Sequence, residues 1–327
     1  MACIAILGLG NFGTALARVW LSAGHEVRGW TVEDDVFESI RSTGRNSKYL
    51  DGVDLQGLDI SMDLNDTVPG AELVVLALPS HVVLGVAEDV IVLLTPEQII
   101  LDLAKGIAGQ QLVSDAIADQ LRGAGKTNPL AVITGPTIAP ELAAGVLTTA
   151  LVASNDIDLA RDLAERLTTP TFALKAASDP RGAELWGGFK NVIALGCGIA
   201  DGLKAGSGDN LKAAIFTAGF AEGNRLLIAL GANPQTAFSP AGIGDLFVTA
   251  SSSHGRNRAL GQKLGEGQTL QQAMEGTVMV AEGVRATRMF AELAGAKHVD
   301  TPFVTTLMEL LDGTLDPNAC VARLISL

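Results

Sequence analysis

Cysteine and positive charge are both scarce in this chain. Three cysteines (Cys3, Cys197 and Cys320) stand far apart and odd in number, which excludes a disulfide framework and gives no metal-ligand spacing. They are expected to be buried thiols, and no metal is expected. Lysine and arginine number 23 against 36 aspartates and glutamates, a formal net charge of −13, so nucleic acid and anionic membrane surfaces are poor partners. An anionic small molecule would need a local basic cluster. Apolar runs such as 73–87 and 226–244 are broken by Pro, Gly, Asn or His, and none reads as a bilayer span. The start, Met1-Ala2-Cys3-Ile4, has no positively charged segment and leads directly into a strand pattern, which points to the cytoplasm. Internal repeats and low-complexity linkers are also missing. With 327 residues, 48% of them hydrophobic, the chain can bury a sizeable core and is expected to form two domains.

The apolar run 4–7 ends in Gly8-Leu9-Gly10-Asn11-Phe12-Gly13 and continues as Thr14-Ala15-Leu16-Ala17. A GxGxxG between strand and helix has a physical reading: Gly8 turns the chain, Gly10 admits a pyrophosphate near the backbone, and Gly13 lets helix and strand approach. The phosphates would meet free N–H groups at the helix start. A second strand over 26–30 leads into Thr31-Val32-Glu33-Asp34-Asp35. An acid near the end of that strand commonly accepts the adenine ribose 2′-OH; equally, these acids suit the start of a helix. Three carboxylates in a row disfavour the extra phosphate of NADP, so NAD is the expected nucleotide.

Strands follow at 72–78, ending at Pro79-Ser80-His81, and at 99–103, ending at Ala104-Lys105-Gly106. Ligands sit beyond the carboxyl ends of parallel strands, so Lys105 is a candidate for function, ahead of Ser80 and His81. Strands at 130–134, 147–153 and 171–174 and a helix at 156–167 complete an alternating pattern, with Gly135-Pro136-Thr137-Ile138-Ala139 turning into a short helix. The expected fold is α/β: a Rossmann-type, doubly wound, mostly parallel sheet over 1–178, followed by an all-α domain over 179–327.

That second domain opens on Asp179-Pro180, a capping side chain and a proline at the first helical position. Along the helix, Leu185, Phe189, Val192 and Ile199 share one stripe, while Gly187, Lys190, Asn191, Ala194, Gly198 and Asp201 share the opposite one. Five glycines (Gly182, Gly187, Gly188, Gly196, Gly198) each cost about 1 kcal/mol in a helix interior, so something needs the space. Either another backbone packs there, or a ligand lies along the small face and meets Lys190 and Asn191. Further helices are expected at 211–230, 259–264, 269–274, 283–294 and 301–311. Between them, Gly244-Asp245-Leu246 leads through a serine-rich stretch to Gly255-Arg256-Asn257-Arg258, a composition suited to an anion and equally to a surface loop.

Taken in order, these motifs, with Phe189-Lys190-Asn191-Val192-Ile193-Ala194 and Val280-Ala281-Glu282-Gly283, resemble the bacterial-type NAD(P)-dependent sn-glycerol-3-phosphate dehydrogenases over nearly the whole length. The resemblance implies interconversion of dihydroxyacetone phosphate and glycerol 3-phosphate, feeding glycerophospholipid synthesis. It makes Lys190 the proton-transferring residue. Substrate contacts fall on Lys105, Gly135, Thr137, Asn191, Asp245, Gly255, Arg256 and Asn257, and nucleotide contacts on Gly8, Gly10, Asn11, Phe12, Gly13, Lys105, Ala139, Arg256, Val280 and Glu282. The partner is a small phosphorylated three-carbon substrate, with no nucleic acid or membrane insertion and a homodimer left open. This chain departs from the family at Val32-Glu33, where His or Arg is common, and at Gly255, where serine is common. Two alternatives stand beside this: a related dehydrogenase for another small acid, such as a 3-hydroxyacid or ketopantoate reductase, and a non-catalytic NAD-binding protein.

Overall fold

In the computed structural model, which describes residues 1–104, 107–108, 111–251, 255–275 and 282–327, the first apolar run is strand β1 (Cys3–Leu7), and the glycines turn the chain into α1 (Asn11–Ser22). The alternation continues with β2 (Glu26–Trp30), α2 (Asp34–Thr43), β3 (Asp59–Ser61), α3 (Leu64–Thr67), β4 (Leu73–Leu76), α4 (Val83–Leu93) and β5 (Ile99–Asp102). A small antiparallel pair, β6 (Ile107–Ala108) and β7 (Gln111–Leu112), leads to α5 (Val113–Gly123), β8 (Leu130–Thr134), α6 (Ala139–Ala143), β9 (Thr148–Ala153), α7 (Ile157–Leu167) and β10 (Phe172–Ala177). The main sheet has eight strands in the order β10-β9-β8-β5-β4-β1-β2-β3. Every pairing is parallel except β8 with β9. The order reverses at β1, between β4 and β2, which is the switch point where ligands meet doubly wound sheets.

The near-continuous apolar strands are explained by burial on both faces. Ile4, Ile6, Leu73, Val75 and Leu101 enter one core, while Leu7, Val74, Leu76 and Ile100 enter the other. Successive residues alternate between the two because a strand's side chains alternate. Strand β4 is shorter than its apolar run: Ala77 still donates to Leu7 O at 2.9 Å, but it and Leu78 already pack over the glycine turn, where Ala77 O lies 2.7 Å from a Cβ built on Gly8. Strand β3 carries too little apolar pattern to be anticipated, and pairs only with β2.

The chain divides into two compact units, Met1–Glu184 and Leu185–Leu327. Helix α8 (Pro180–Gly202) begins where the Asp-Pro signal places it, with Asp179 Oδ1 accepting from the Gly182 N–H at 2.9 Å. Then come α9 (Asp209–Ala229), a 3-10 turn (Pro234–Phe238), a π-type turn (Pro240–Gly244), α10 (Asp245–Ser251), α11 (Arg256–Gly265), α12 (Leu270–Met274), α13 (Glu282–Lys297), α14 (Pro302–Leu311) and α15 (Pro317–Leu324). No strand forms among the described residues of this second unit. Helices α10 and α15 fall outside the expected set. Glu222, 2% exposed, caps α14 by accepting from Phe303 N at 2.6 Å and Val304 N at 2.9 Å; burial pushes its carboxyl up, and those two donors pull it back. Of the cysteines, Cys197 and Cys320 are buried and their thiols are pushed up to about 12 by desolvation. Cys3 is only half-buried.

Two glycines of α8, Gly198 and Gly202, find their reason in another backbone, while Gly196 faces the side chains of Ile215 and Phe303. A Cβ on Gly198 would lie 2.2 Å from Arg258 O, and one on Gly202 would lie 2.0 Å from Gln262 O. The facing helix has the same property: a Cβ on Gly261 would stand 2.3 Å from Leu195 O, and one on Gly265 2.1 Å from Ile199 O. Helices α8 and α11 thus touch main chain to main chain. Gly261→Ala is expected to destabilise the full chain by about 1–3 kcal/mol through overpacking, read as a lower urea midpoint. Gly85→Ala, at an exposed position of α4 where an added Cβ meets nothing within 4 Å, should instead stabilise by about 0.4–1 kcal/mol.

Candidate functional site

In the first unit the site is built from the glycine turn. Gly8 has φ +101, and a Cβ on Gly13 would lie 1.9 Å from Gly8 O, so both are required by the protein's own packing. Gly10 is not: a Cβ there would meet nothing within 4 Å. The space beside Gly10 adjoins the first turn of α1, where Asn11 is exposed, no side chain caps the free N–H groups and no acidic residue stands. Open space at the second glycine and uncapped donors beyond it fit a pyrophosphate. Phe12 turns inward, and it and Ala139, the first residue of α6, pack on the same core.

One residue that local sequence does not single out holds this turn. Asn46, fully buried, donates through Nδ2 to Leu9 O at 2.8 Å and to Thr14 Oγ1 at 2.9 Å. Its Oδ1 accepts from Tyr49 N at 3.3 Å, fixing the segment that follows. After β2, Thr31 Oγ1 accepts from Glu33 N at 3.2 Å. Glu33 precedes α2 but makes no cap; its carboxylate takes the Tyr49 hydroxyl at 2.8 Å and the Lys48 ammonium. Val32 is 68% exposed. Beyond β4, Ser80 and His81 lie in the turn before α4, with His81 exposed.

Lys105 lies outside the described residues. Just before it, Asp102 is 1% exposed; Oδ1 accepts from Ala104 N at 3.0 Å, and Oδ2 has no partner among the described residues. Glu184, 2% exposed, takes Ser114 N at 3.1 Å and the Ser114 hydroxyl. Burial raises both carboxyls, and the charge of Asp102 raises Glu184 further. Asp115 adds a smaller push in the same direction while pairing with Arg181 at 2.8 Å. After β8, Gly135 has φ +153, and a Cβ there would lie 2.9 Å from Ala150 Cα, so packing alone accounts for this glycine. Thr137 Oγ1 donates to Gly135 O at 3.3 Å.

In the second unit Lys190 is 7% exposed on α8, and its Nζ lies 2.6 Å from Oδ1 of Asp245, the first residue of α10, itself 2% exposed. Removing either partner of such a buried pair costs about 3–5 kcal/mol. Gly242 explains how Asp245 reaches that place: the chain kinks there, with a Cβ position only 2.3 Å from Ala237 O. Beside the lysine, Asn191 Oδ1 accepts from Asn257 Nδ2 at 2.9 Å, and Asn257 Oδ1 accepts from Gly283 N at 2.8 Å. This chain of amides ties α8, the first turn of α11 and the start of α13 together. Arg256, exposed, opens α11, with Gly255 before it offering no side-chain cap. The second arginine of that stretch is spent inside the fold: Arg258 binds Asp201 and donates to Ser251 O at 2.6 Å. Glu282 is exposed at the start of α13, and Val280 lies outside the described residues.

A doubly wound sheet with this glycine turn, followed by a helical unit carrying a buried lysine, defines the class: a two-unit oxidoreductase of the nicotinamide-dependent kind. Two family models cover most of the chain, the NAD-dependent glycerol-3-phosphate dehydrogenase N-terminus over residues 3–160 and its C-terminus over residues 179–322. The chain belongs to the NAD-dependent glycerol-3-phosphate dehydrogenase family. It is 37% identical to "Glycerol-3-phosphate dehydrogenase [NAD(P)+]" of Thermoanaerobacter sp. (strain X514), over 99% of this chain and 96% of that protein. The Desulfitobacterium hafniense protein of the same name is 39% identical, over 99% and 91%. Among solved structures, the glycerol-3-phosphate dehydrogenase of Coxiella burnetii superposes with a TM-score of 0.88 at 34% identity, covering 100% of this chain and 99% of that one.

The Asp102–Glu184 cluster has a pH signature. Both carboxyls are raised in the folded chain, so their contribution to stability is complete below the ordinary carboxyl range and is lost as pH rises through the raised values. Asp102→Asn keeps an acceptor for Ala104 and supplies a donor where Oδ2 now has no partner. The variant is expected to match the wild type near pH 4 and to exceed it by about 1–3 kcal/mol near pH 8, measured by urea unfolding at both pH values.

Proposed function

We propose that the chain is a glycerol-3-phosphate dehydrogenase that interconverts dihydroxyacetone phosphate and sn-glycerol 3-phosphate, runs mainly toward glycerol 3-phosphate, and feeds glycerophospholipid synthesis. The observation that carries this is a buried amine on a glycine-rich helix, Lys190, held by Asp245 at 2.6 Å. Full-length similarity to proteins of that name supports the same conclusion.

A bound nicotinamide nucleotide supplies or takes the hydride at C2. Lys190 carries the matching proton: as the ammonium it delivers one to the C2 oxygen in reduction, and as the neutral amine it removes one from the C2 hydroxyl in oxidation. Asp245 fixes the direction of Nζ by accepting one of its hydrogens. Asn191 has its carbonyl oxygen engaged by Asn257, while its NH2 has no partner among the described residues, which suits it to donate to a substrate oxygen. Arg256 and the first N–H groups of α11 suit a dianionic phosphate. Binding energy gained there, remote from C2, orients the reacting carbon. We assign Lys105, Gly135, Thr137, Gly255 and Asn257 to the substrate, with Lys105 and Arg256 serving the nucleotide as well. Gly8, Gly10, Asn11, Phe12, Gly13, Ala139, Val280 and Glu282 complete the nucleotide contacts. With Glu33 and its neighbours after β2, NAD is the preferred form.

In an assay of NADH oxidation with dihydroxyacetone phosphate, Lys190→Ala is expected to lower kcat by about 10²-fold or more while nucleotide binding persists. Near-normal turnover would remove the lysine from this role. Arg256→Ala should raise KM for dihydroxyacetone phosphate by about tenfold or more, the loss of a charge-assisted hydrogen bond. An unchanged KM would place the phosphate elsewhere.

A further inference from the structure

The segment after β2 and the segment around residue 48 meet in an ion cluster that the proposed reaction does not use. Lys48 carries the only ammonium in it, and two carboxylates hold that ammonium: Glu33, and Asp35 at 3.0 Å. Glu33 also accepts from the Tyr49 hydroxyl at 2.8 Å. Asp34, between the two acids, opens α2, and the nearby Arg41 is occupied by Glu38 at 2.8 Å. The pairing raises Lys48 and lowers Asp35, each through the shared hydrogen bond first. Side chains of Lys48, Glu33 and Asp35 are 42%, 32% and 63% exposed, and exposed pairs of this kind add little to fold stability. Their position is therefore more informative than their strength.

Two independent ties bring the cluster to the nucleotide end of the sheet. Glu33 follows β2, whose carboxyl end adjoins β1 and the glycine turn, the place where this fold class holds the adenine ribose. Lys48 and Tyr49 follow Asn46, which is bonded directly to Leu9 O and Thr14 Oγ1 of that turn. Tyr49 N is bonded in turn to Asn46 Oδ1. A cation pinned beside the glycine turn would ordinarily favour a 2′-phosphate, yet here it is neutralised in place.

We propose that Glu33 sets nucleotide preference by occupying Lys48: with the Glu33 charge in place the site takes a ribose 2′-hydroxyl, and without it Lys48 becomes the partner of a 2′-phosphate. This rests on the dinucleotide site proposed above. Glu33 is the specificity-determining residue and Lys48 the latent phosphate ligand. Asp35, more exposed and without the Tyr49 contact, is the weaker competitor for the ammonium. Val32, exposed and apolar, brings no cation of its own.

The test is calorimetric titration of the full chain with two probes that lack nicotinamide, ADP-ribose and 2′-phospho-ADP-ribose. The wild type is expected to favour ADP-ribose. Glu33→Gln, which keeps an acceptor for the Tyr49 hydroxyl, should shift the ratio of dissociation constants toward the phosphorylated probe by about tenfold or more. Adding Lys48→Met to that variant should remove the gain. A ratio within twofold of wild type in Glu33→Gln, or a gain that survives Lys48→Met, overturns the assignment of Glu33 and Lys48 while leaving the dinucleotide site standing. Failure of both probes to bind wild type and variant alike would remove the dinucleotide site, and this inference with it.

Discussion

Main chain lying against main chain is the constraint from which both units follow. In the first, the Gly13 position is closed to any side chain by the carbonyl of Gly8, and that contact draws α1 onto the sheet so that its free N–H groups end beside the open space at Gly10. In the second, Gly198, Gly202, Gly261 and Gly265 let α8 and α11 touch over two turns. Such contact carries a cost in helix propensity, and the return is placement: Asn191 and Asn257 come within 2.9 Å of each other.

Placement of this kind makes a buried ammonium tolerable. Lys190 and Asp245 are each almost fully buried, and desolvation of two charges is recovered only when geometry is fixed. The kink at Gly242 and the start of α10 supply that geometry. An amine held in a dry setting by one carboxylate has its direction fixed by the fold itself. The Asp102–Glu184–Ser114 cluster is the contrasting case, where two carboxyls are buried without a cation among their described partners, and burial pushes both upward instead.

Much of this was legible in the sequence wherever the signal is local. Strand β8 coincides with its apolar run, α8 begins at its Asp-Pro cap, and the three motif glycines separate into two that packing demands and one that it leaves open. The glycines of α8 called for space without deciding between a neighbouring backbone and a ligand, and at Gly198 and Gly202 the space is filled by the backbone of α11. What was not legible is pairing across long separations. Asn46 and Leu9, Lys48 and Glu33, Ser114 and Glu184, and Glu222 and Phe303 are brought together by topology, and neither partner carries a local mark of the other. Reversal of strand direction at β9 is likewise invisible to hydrophobic pattern, since a strand buried on both faces reads the same in either direction. Arg258 shows the limit of composition: beside Arg256 it has the same chemistry, and only the fold assigns it to Asp201.

That reversal has a consequence for how the sheet divides its labour. The chain from β8 to β9 runs over 135–147, with the short α6 and its flanking turns, and β9 returns antiparallel to β8. Thr137 and Ala139 therefore stay at the rim where β1, β4 and β5 end. Strands β9 and β10 discharge their carboxyl ends at the far rim, so the connection from β9 into α7 can be lengthened or recoded without touching ligand chemistry, whereas the one after β10 leads straight into α8, which carries Lys190.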